Sequence, residues 1–386
     1  MQLFLLYLSP FTAIKASPYA QTEQKSYITI KFRESKSFNE QQPGGIRLKI
    51  SLYSNEHDRR LKLDNTKFYL PSSTGASLSF DPSERIPWGV KAVHAPRLWR
   101  ISQGERVRIG VVDTGADYQH PDIRASLMTG INLVNRGTPP IDDNGHGTHI
   151  AGTIAASCRT DNGIRGTAPR AALFPIKAFD RDGSAYVSDI ILAIEWCIAE
   201  RMDIINMSFG TSEYSAAMVQ AVKAAHRKGI FIVASSGNNG KPNSCDYPAR
   251  LPQTIAVGAI NKQNKIAAFS NRGKAVDIYA PGEAIYSSWP DHRYHVLNGT
   301  SMAAAHVSGV AALLLAAKPR MKLSRLKRLL IDSAAPIVPS VPSSTAGRLD
   351  AARVWAVITG RTKKLPSKKK VKKKSAHNRV TRKSER

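Results

Sequence analysis

From Ile86 onward, short apolar runs alternate with longer amphipathic ones, and few folds accept that alternation. Residues 106–112, 172–177, 204–207 and 230–233 are rich in Val, Ile, Leu and Phe and read as strands. Between them, 148–156, 187–201 and 215–228 carry helical periodicity. Strands this apolar need cover on both faces, so the pattern predicts an α/β sandwich of three layers around a mostly parallel sheet. Such sheets bind ligands beyond the carboxyl ends of their strands, where reactive residues should therefore lie.

The flanks read differently. In residues 1–82, the segments 27–32 and 46–52 alternate apolar and polar residues as half-buried strands do, predicting a small α+β or β region. Residues 1–13 are apolar, as the core of a signal peptide is, but no Lys or Arg precedes them. Residues 71–84 read as a linker. A single domain is expected over 83–358, and a basic, disordered tail over 359–386. The chain of 386 residues carries a net charge of +27, and residues 361–386 hold thirteen Lys or Arg against one acid, Glu385. Such a block binds polyanions: cell-wall polymer, nucleic acid and anionic membrane surface all qualify. Cys158, Cys197 and Cys245 form no disulfide framework and have no metal-ligand spacing. No stretch has the ~18 apolar residues of a membrane span.

Four turn motifs carry chemistry-bearing residues. Val111-Val112-Asp113-Thr114-Gly115 puts a carboxylate at a strand tip. In Asp142-Asp143-Asn144-Gly145-His146-Gly147-Thr148-His149, glycines flank a histidine and are expected to keep its imidazole uncovered; His146 and His149 could alternatively pair as metal ligands. Ser236-Gly237-Asn238-Asn239-Gly240 offers a side-chain amide after another strand. Gly299-Thr300-Ser301-Met302-Ala303 leads into the apolar run 310–317, so Ser301 is either a helix cap or a nucleophile set among free N–H donors.

In order and surroundings these motifs resemble the subtilisin-like (subtilase) serine proteases, as do Ile86-Pro87-Trp88-Gly89, Gly166-Thr167-Ala168-Pro169, Ile255-Ala256-Val257-Gly258 and Ala280-Pro281-Gly282. The resemblance covers about residues 84–336. It implies a serine endopeptidase acting on extended protein or peptide substrates, with Ser301 as nucleophile, His146 as general base, Asp113 as its orienting acid and Asn238 in the oxyanion hole. It implies substrate-clamping strands at Gly183-Ser184-Ala185 and Ser208-Phe209-Gly210, and a propeptide within residues 1–82. No cofactor enters the chemistry. A structural calcium is the family's habit, with Asp122, Asp161 and Asn162 as ligands or, for the last two, as turn residues. Asp246 aligns near the floor of the S1 pocket, where a carboxylate would favour Lys or Arg; the alternative is that it faces solvent. Ala305 stands where the family usually has Pro. The expected location is secreted or attached to the cell surface, with the cytoplasm as the alternative.

Overall fold

In a computed structural model, residues 60–62, 85–158, 160, 163–337 and 346–361 are described. The expected strands 27–32 and 46–52, the linker 71–84, and all but the first residues of the tail lie outside them, as do Asp161 and Asn162.

In chain order come β1 (Arg60–Lys62), α1 (Trp88–Ala92), β2 (Arg108–Asp113), β3 (Ile131–Asn132), α2 (His146–Ala155), β4 (Ala172–Lys177), β5 (Ser184–Tyr186) and α3 (Val187–Ala199). Then follow β6 (Ile204–Met207), α4 (Ala216–Arg227), β7 (Phe231–Ser235), β8 (Thr254–Ile260), β9 (Ile278–Pro281), β10 (Ile285–Trp289), β11 (Arg293–Leu297), α5 (Thr300–Ala317), α6 (Leu323–Asp332) and α7 (Ala351–Ile358). Seven strands form one parallel sheet in the order β3-β4-β2-β6-β7-β8-β9. Every residue of β6, β7 and β8 is buried, as strands covered on both faces must be. α2 packs against α5, and α3 against α4. The chain is therefore the three-layer α/β sandwich that its alternation predicts.

The expected elements differ from the observed ones at their ends. The first strand starts at Arg108 rather than 106, and α2 begins at His146 rather than 148. The shift places His146 inside the first helical turn instead of in the loop before it.

α5 sits in the middle of the molecule. It touches β6, β7, β8 and β9 along one side and α2 along another. Its small residues permit that approach: a Cβ on Gly309 would lie 2.5 Å from the Thr167 side chain. Leu313 and Leu314 are fully buried there, and truncating either to Ala costs about 2–5 kcal/mol. The helix is long and apolar enough to cross a membrane, but 89% of it is buried inside the protein; no other described helix passes that test.

Two antiparallel pairs complete the structure. β10 and β11 form a hairpin against α2, and β1 runs along β5 with Leu61 opposite Ala185.

Candidate active site

The sheet's carboxyl edge gathers the singled-out residues. Asp113 is the last residue of β2, at the point where neighbouring strands leave in opposite directions. Its Oδ1 accepts the Thr114 N–H at 2.8 Å and meets His146 Nδ1 at 2.6 Å. Both side chains are buried.

His146 is held by the loop that starts α2. Gly145 has φ 108°, and a Cβ there would lie 2.3 Å from the Trp289 ring; one on Gly147 would lie 2.1 Å from the Gly115 carbonyl oxygen. The glycines thus serve close approach. They do not uncover the imidazole, which is 1% exposed.

A residue that the turn motifs did not single out organises this loop. Asp142 accepts hydrogen bonds from the Asn144, Gly145 and Thr148 N–H groups and from the Thr148 and Thr114 hydroxyls, at 2.6–3.0 Å. Thr114 also touches Asp113, so Asp142 couples the carboxylate's strand to the histidine's helix. An Asp two residues before Asn-Gly is the only local hint of it. Lys177, buried at the end of β4, donates to the Thr114 carbonyl and to Asp143.

His149 belongs to the packing. Its Nε2 donates to the Ile285 and His295 carbonyls, 2.9 and 3.2 Å away, on the hairpin. Burial pushes its pKa down to about 3, with the nearby His146 adding to the effect. Among the described residues no group of three His, Cys, Asp or Glu could hold a metal, which removes the paired-histidine reading.

Ser301 is the second residue of α5. The residue at its N-cap is Gly299, without a side-chain cap, so Ser301 is not the cap. Its hydroxyl donates to the Ser208 carbonyl at 2.9 Å, and no hydrogen bond joins it to His146. Beneath it, Ser308 donates to Asn206, Asn206 to the Ser208 hydroxyl, and Ser208 back to the Ser301 carbonyl. Asn206 also escaped the sequence reading, as an ordinary strand residue. Ala305 lies fully buried within an unbroken helix, so the departure from Pro leaves α5 intact.

Asn238 follows β7. Its Oδ1 accepts both the N–H and the hydroxyl of Thr300, each at 2.8 Å, which leaves its Nδ2 donor out of that contact. Phe209 is buried with its ring 5.1 Å from that of Phe179. Gly210 and Gly237 both lie against Asp246, which is 5% exposed and does not face solvent.

The sequence pattern of the subtilase family matches residues 104–379. The chain belongs to the subtilase family. This subtilase is 38% identical to subtilisin DY of Bacillus licheniformis over 65% of its own length and 92% of that protein. It is 38% identical to subtilisin E of Bacillus subtilis over 72% of each, and 41% identical to an intracellular serine protease of Paenibacillus polymyxa over 59% of its own length and 72% of that protein. It is a serine-type endopeptidase acting on proteins or peptides, and subtilases need no cofactor for the chemistry.

Asp122 is the described residue among the three expected calcium ligands. Its Oδ2 accepts the Ile164 N–H and the Tyr294 hydroxyl, each at 2.8 Å, and its carbonyl accepts from Ser157. A calcium ion takes 6–8 oxygen ligands. Among the described residues, donors from Ile164, Tyr294 and Ser157 are on Asp122, and the other two expected ligands, Asp161 and Asn162, lie outside them.

Proposed function

We propose that Ser301, His146 and Asp113 form the catalytic triad of this endopeptidase and that Asn238 completes its oxyanion hole. The observation that carries this reading is the 2.6 Å contact between His146 Nδ1 and Asp113, two buried groups on separate elements. With Nδ1–H donated to the carboxylate, Nε2 is left as the base. In the resting enzyme the Ser301 hydroxyl is parked on the Ser208 carbonyl. Rotation about its χ1 brings the proton to Nε2 as Oγ attacks the substrate carbonyl. The oxyanion meets the Ser301 N–H, in the first helical turn, and Asn238 Nδ2. His146 then protonates the leaving amine, and water repeats the sequence on the acyl-enzyme.

Substrate binds as an extended strand. Residues Gly183, Ser184 and Ala185 offer one edge, and Ser208, Phe209 and Gly210 the other. What supports the first is β1: an extended segment of the chain itself runs antiparallel along Ser184–Tyr186. Residues 1–82 are read as a leader and propeptide region, 83–358 as the catalytic domain. The basic tail, 359–386, is read as an anchor to a polyanion such as a cell-wall polymer or nucleic acid, in a secreted or surface-attached enzyme. Deleting 361–386 should abolish salt-sensitive retention on such a polymer; unchanged retention refutes the anchor.

A fluorophosphonate probe tests the triad. It should label the protein covalently, fail on Ser301→Ala, and leave that variant at about 10⁻⁶ of the parent turnover, the scale seen in subtilisin itself. Labelling that persists in Ser301→Ala would refute the assignment.

A further inference from the structure

Asp246 is buried as deeply as Asp142, yet the two carboxylates are treated in opposite ways. Asp142 accepts five hydrogen bonds of 3.0 Å or less. Asp246 has one polar contact for its carboxylate, Asn271 Nδ2 at 3.5 Å, the outer limit of a hydrogen bond. The nearby cation does not neutralise it: Arg250 Nε is bonded to the Cys245 carbonyl, and its guanidinium lies over the Tyr247 ring. No ion pair reaches Asp246 among the described residues. A buried carboxylate is costly unless it is paired.

Its position is fixed from both sides. The Asp246 N–H donates to the Ser236 carbonyl, and Tyr247 exchanges both backbone hydrogen bonds with Thr211. The side chain therefore stands between the segments 208–211 and 236–237. The facing residues are glycines: a Cβ on Gly237 would lie 2.2 Å from Asp246 Oδ2, and one on Gly210 would lie 3.3 Å from it. Both walls lead back to the nucleophile. Ser208 accepts the Ser301 hydroxyl, and Gly237 N–H donates to Thr300. From Ser208 to Gly210 an extended chain advances about 7 Å. That stretch leads from the residue holding the Ser301 hydroxyl to a buried carboxylate with no cation paired to it among the described residues.

We infer that Asp246 is the specificity residue of this subtilase, pairing with Lys or Arg at the residue before the scissile bond. The inference rests on Ser301 being the nucleophile. Binding of that cation replaces the missing hydrogen bonds, whereas an aromatic or aliphatic side chain would leave the carboxylate desolvated.

The test is a set of tetrapeptide amides differing only in the residue before the cleaved bond, with fluorophosphonate labelling run in parallel. Arg and Lys substrates should show the highest kcat/KM. Asp246→Asn should lower kcat/KM for both on the order of 10²-fold, leave Phe and Leu substrates unchanged or improved, and label at the parent rate. Asp246→Glu should keep the basic preference. A readout that needs no variant is pH. Burial raises the Asp246 pKa, opposed by Arg250 and Lys241, so the Arg-to-Phe ratio should already fall above the ordinary carboxylate range. The Cys245 thiol beside it, pushed up to about 12, stays neutral throughout. Faster cleavage after Phe or Leu by an enzyme that labels normally would overturn the inference alone. Absence of labelling would overturn the triad and this inference together.

Discussion

Two helices begin under the active site, and they treat their first turns in opposite ways. Both open after a glycine and both are buried. At the start of α2 the free N–H groups are consumed internally: the Asp142 carboxylate takes those of Gly145 and Thr148, the Asn144 side chain that of His146 and the Thr114 hydroxyl that of Gly147. At the start of α5 no acid is present. Asn238 takes the N–H and the hydroxyl of Thr300 and leaves its own Nδ2, with the Ser301 N–H, to donate elsewhere. A helix N-terminus carries a partial positive charge either way. Spent on a fixed carboxylate, it holds a histidine in place; left open, it can meet negative charge that exists only during a reaction.

The largest effect should come from damaging the open terminus. Asn238→Ala should lower kcat by about 10²–10³-fold, the range known for the same kind of donor in subtilisin, with KM little changed. An equal fall in 1/KM with kcat preserved would make Asn238 a ground-state contact and erase the contrast. Damage to the saturated terminus should show first in stability. Asp142→Ala strands buried donors and should cost about 3 kcal/mol in denaturant unfolding, while Asp142→Asn, which keeps some acceptors, should cost less. If Asp142→Ala unfolds like the parent, the hub is not structural.

One histidine in each helix sharpens the comparison further. Burial lowers the pKa of His149 in α2 to about 3 and that of His306 in α5 to about 4. His306 Nδ1 donates to the Met302 carbonyl at 2.8 Å. Unfolded histidine titrates near 6.5, so on acidification the unfolded chain takes up protons first. Stability is thus complete above pH ~6.5 and lost as pH falls toward 4 and 3, by about 2 kcal/mol per histidine at pH 5. Unfolding free energies at pH 7 and 5 should differ accordingly, and His149→Gln should shrink the difference. The smallest effects concern the third acidic centre. Tyr294→Phe should cost about 1 kcal/mol by removing a donor to Asp122. Chelation with EDTA should move Tm by less than about 2 °C, because the donors already on Asp122 leave a cation little to bind.

Which features were readable depended on whether their cause is local. The central strands were, since total burial forces continuous Val, Ile and Ala runs. The two-residue β3 and the half-exposed β11 carry no such run and owe their pairing to neighbours far along the chain. Asp113, Asn238 and Ser301 announced themselves by standing at element ends. Asp142 and Asn206 did not, because a carboxylate that gathers turn donors looks like any turn Asp, and Asn206 finds its Ser308 partner 102 positions away. The burial of Asp246 was equally silent: nothing local separates a buried Asp from an exposed one until Gly210 and Gly237 close around it.

The spacing of these partners also bears on how the site comes together. Asp113 and His146 meet across 33 positions, whereas Ser301 reaches Ser208 across 93. Loop closure alone makes the second contact about 0.9 kcal/mol dearer in entropy than the first. More weighty is that α5 packs on four strands at once, so its seat exists only when the centre of the sheet is complete. On the proposed triad, the contact that orients the base thus closes over a shorter stretch of chain than the one that seats the nucleophile, and a chain with an unfinished sheet lacks the seat of Ser301.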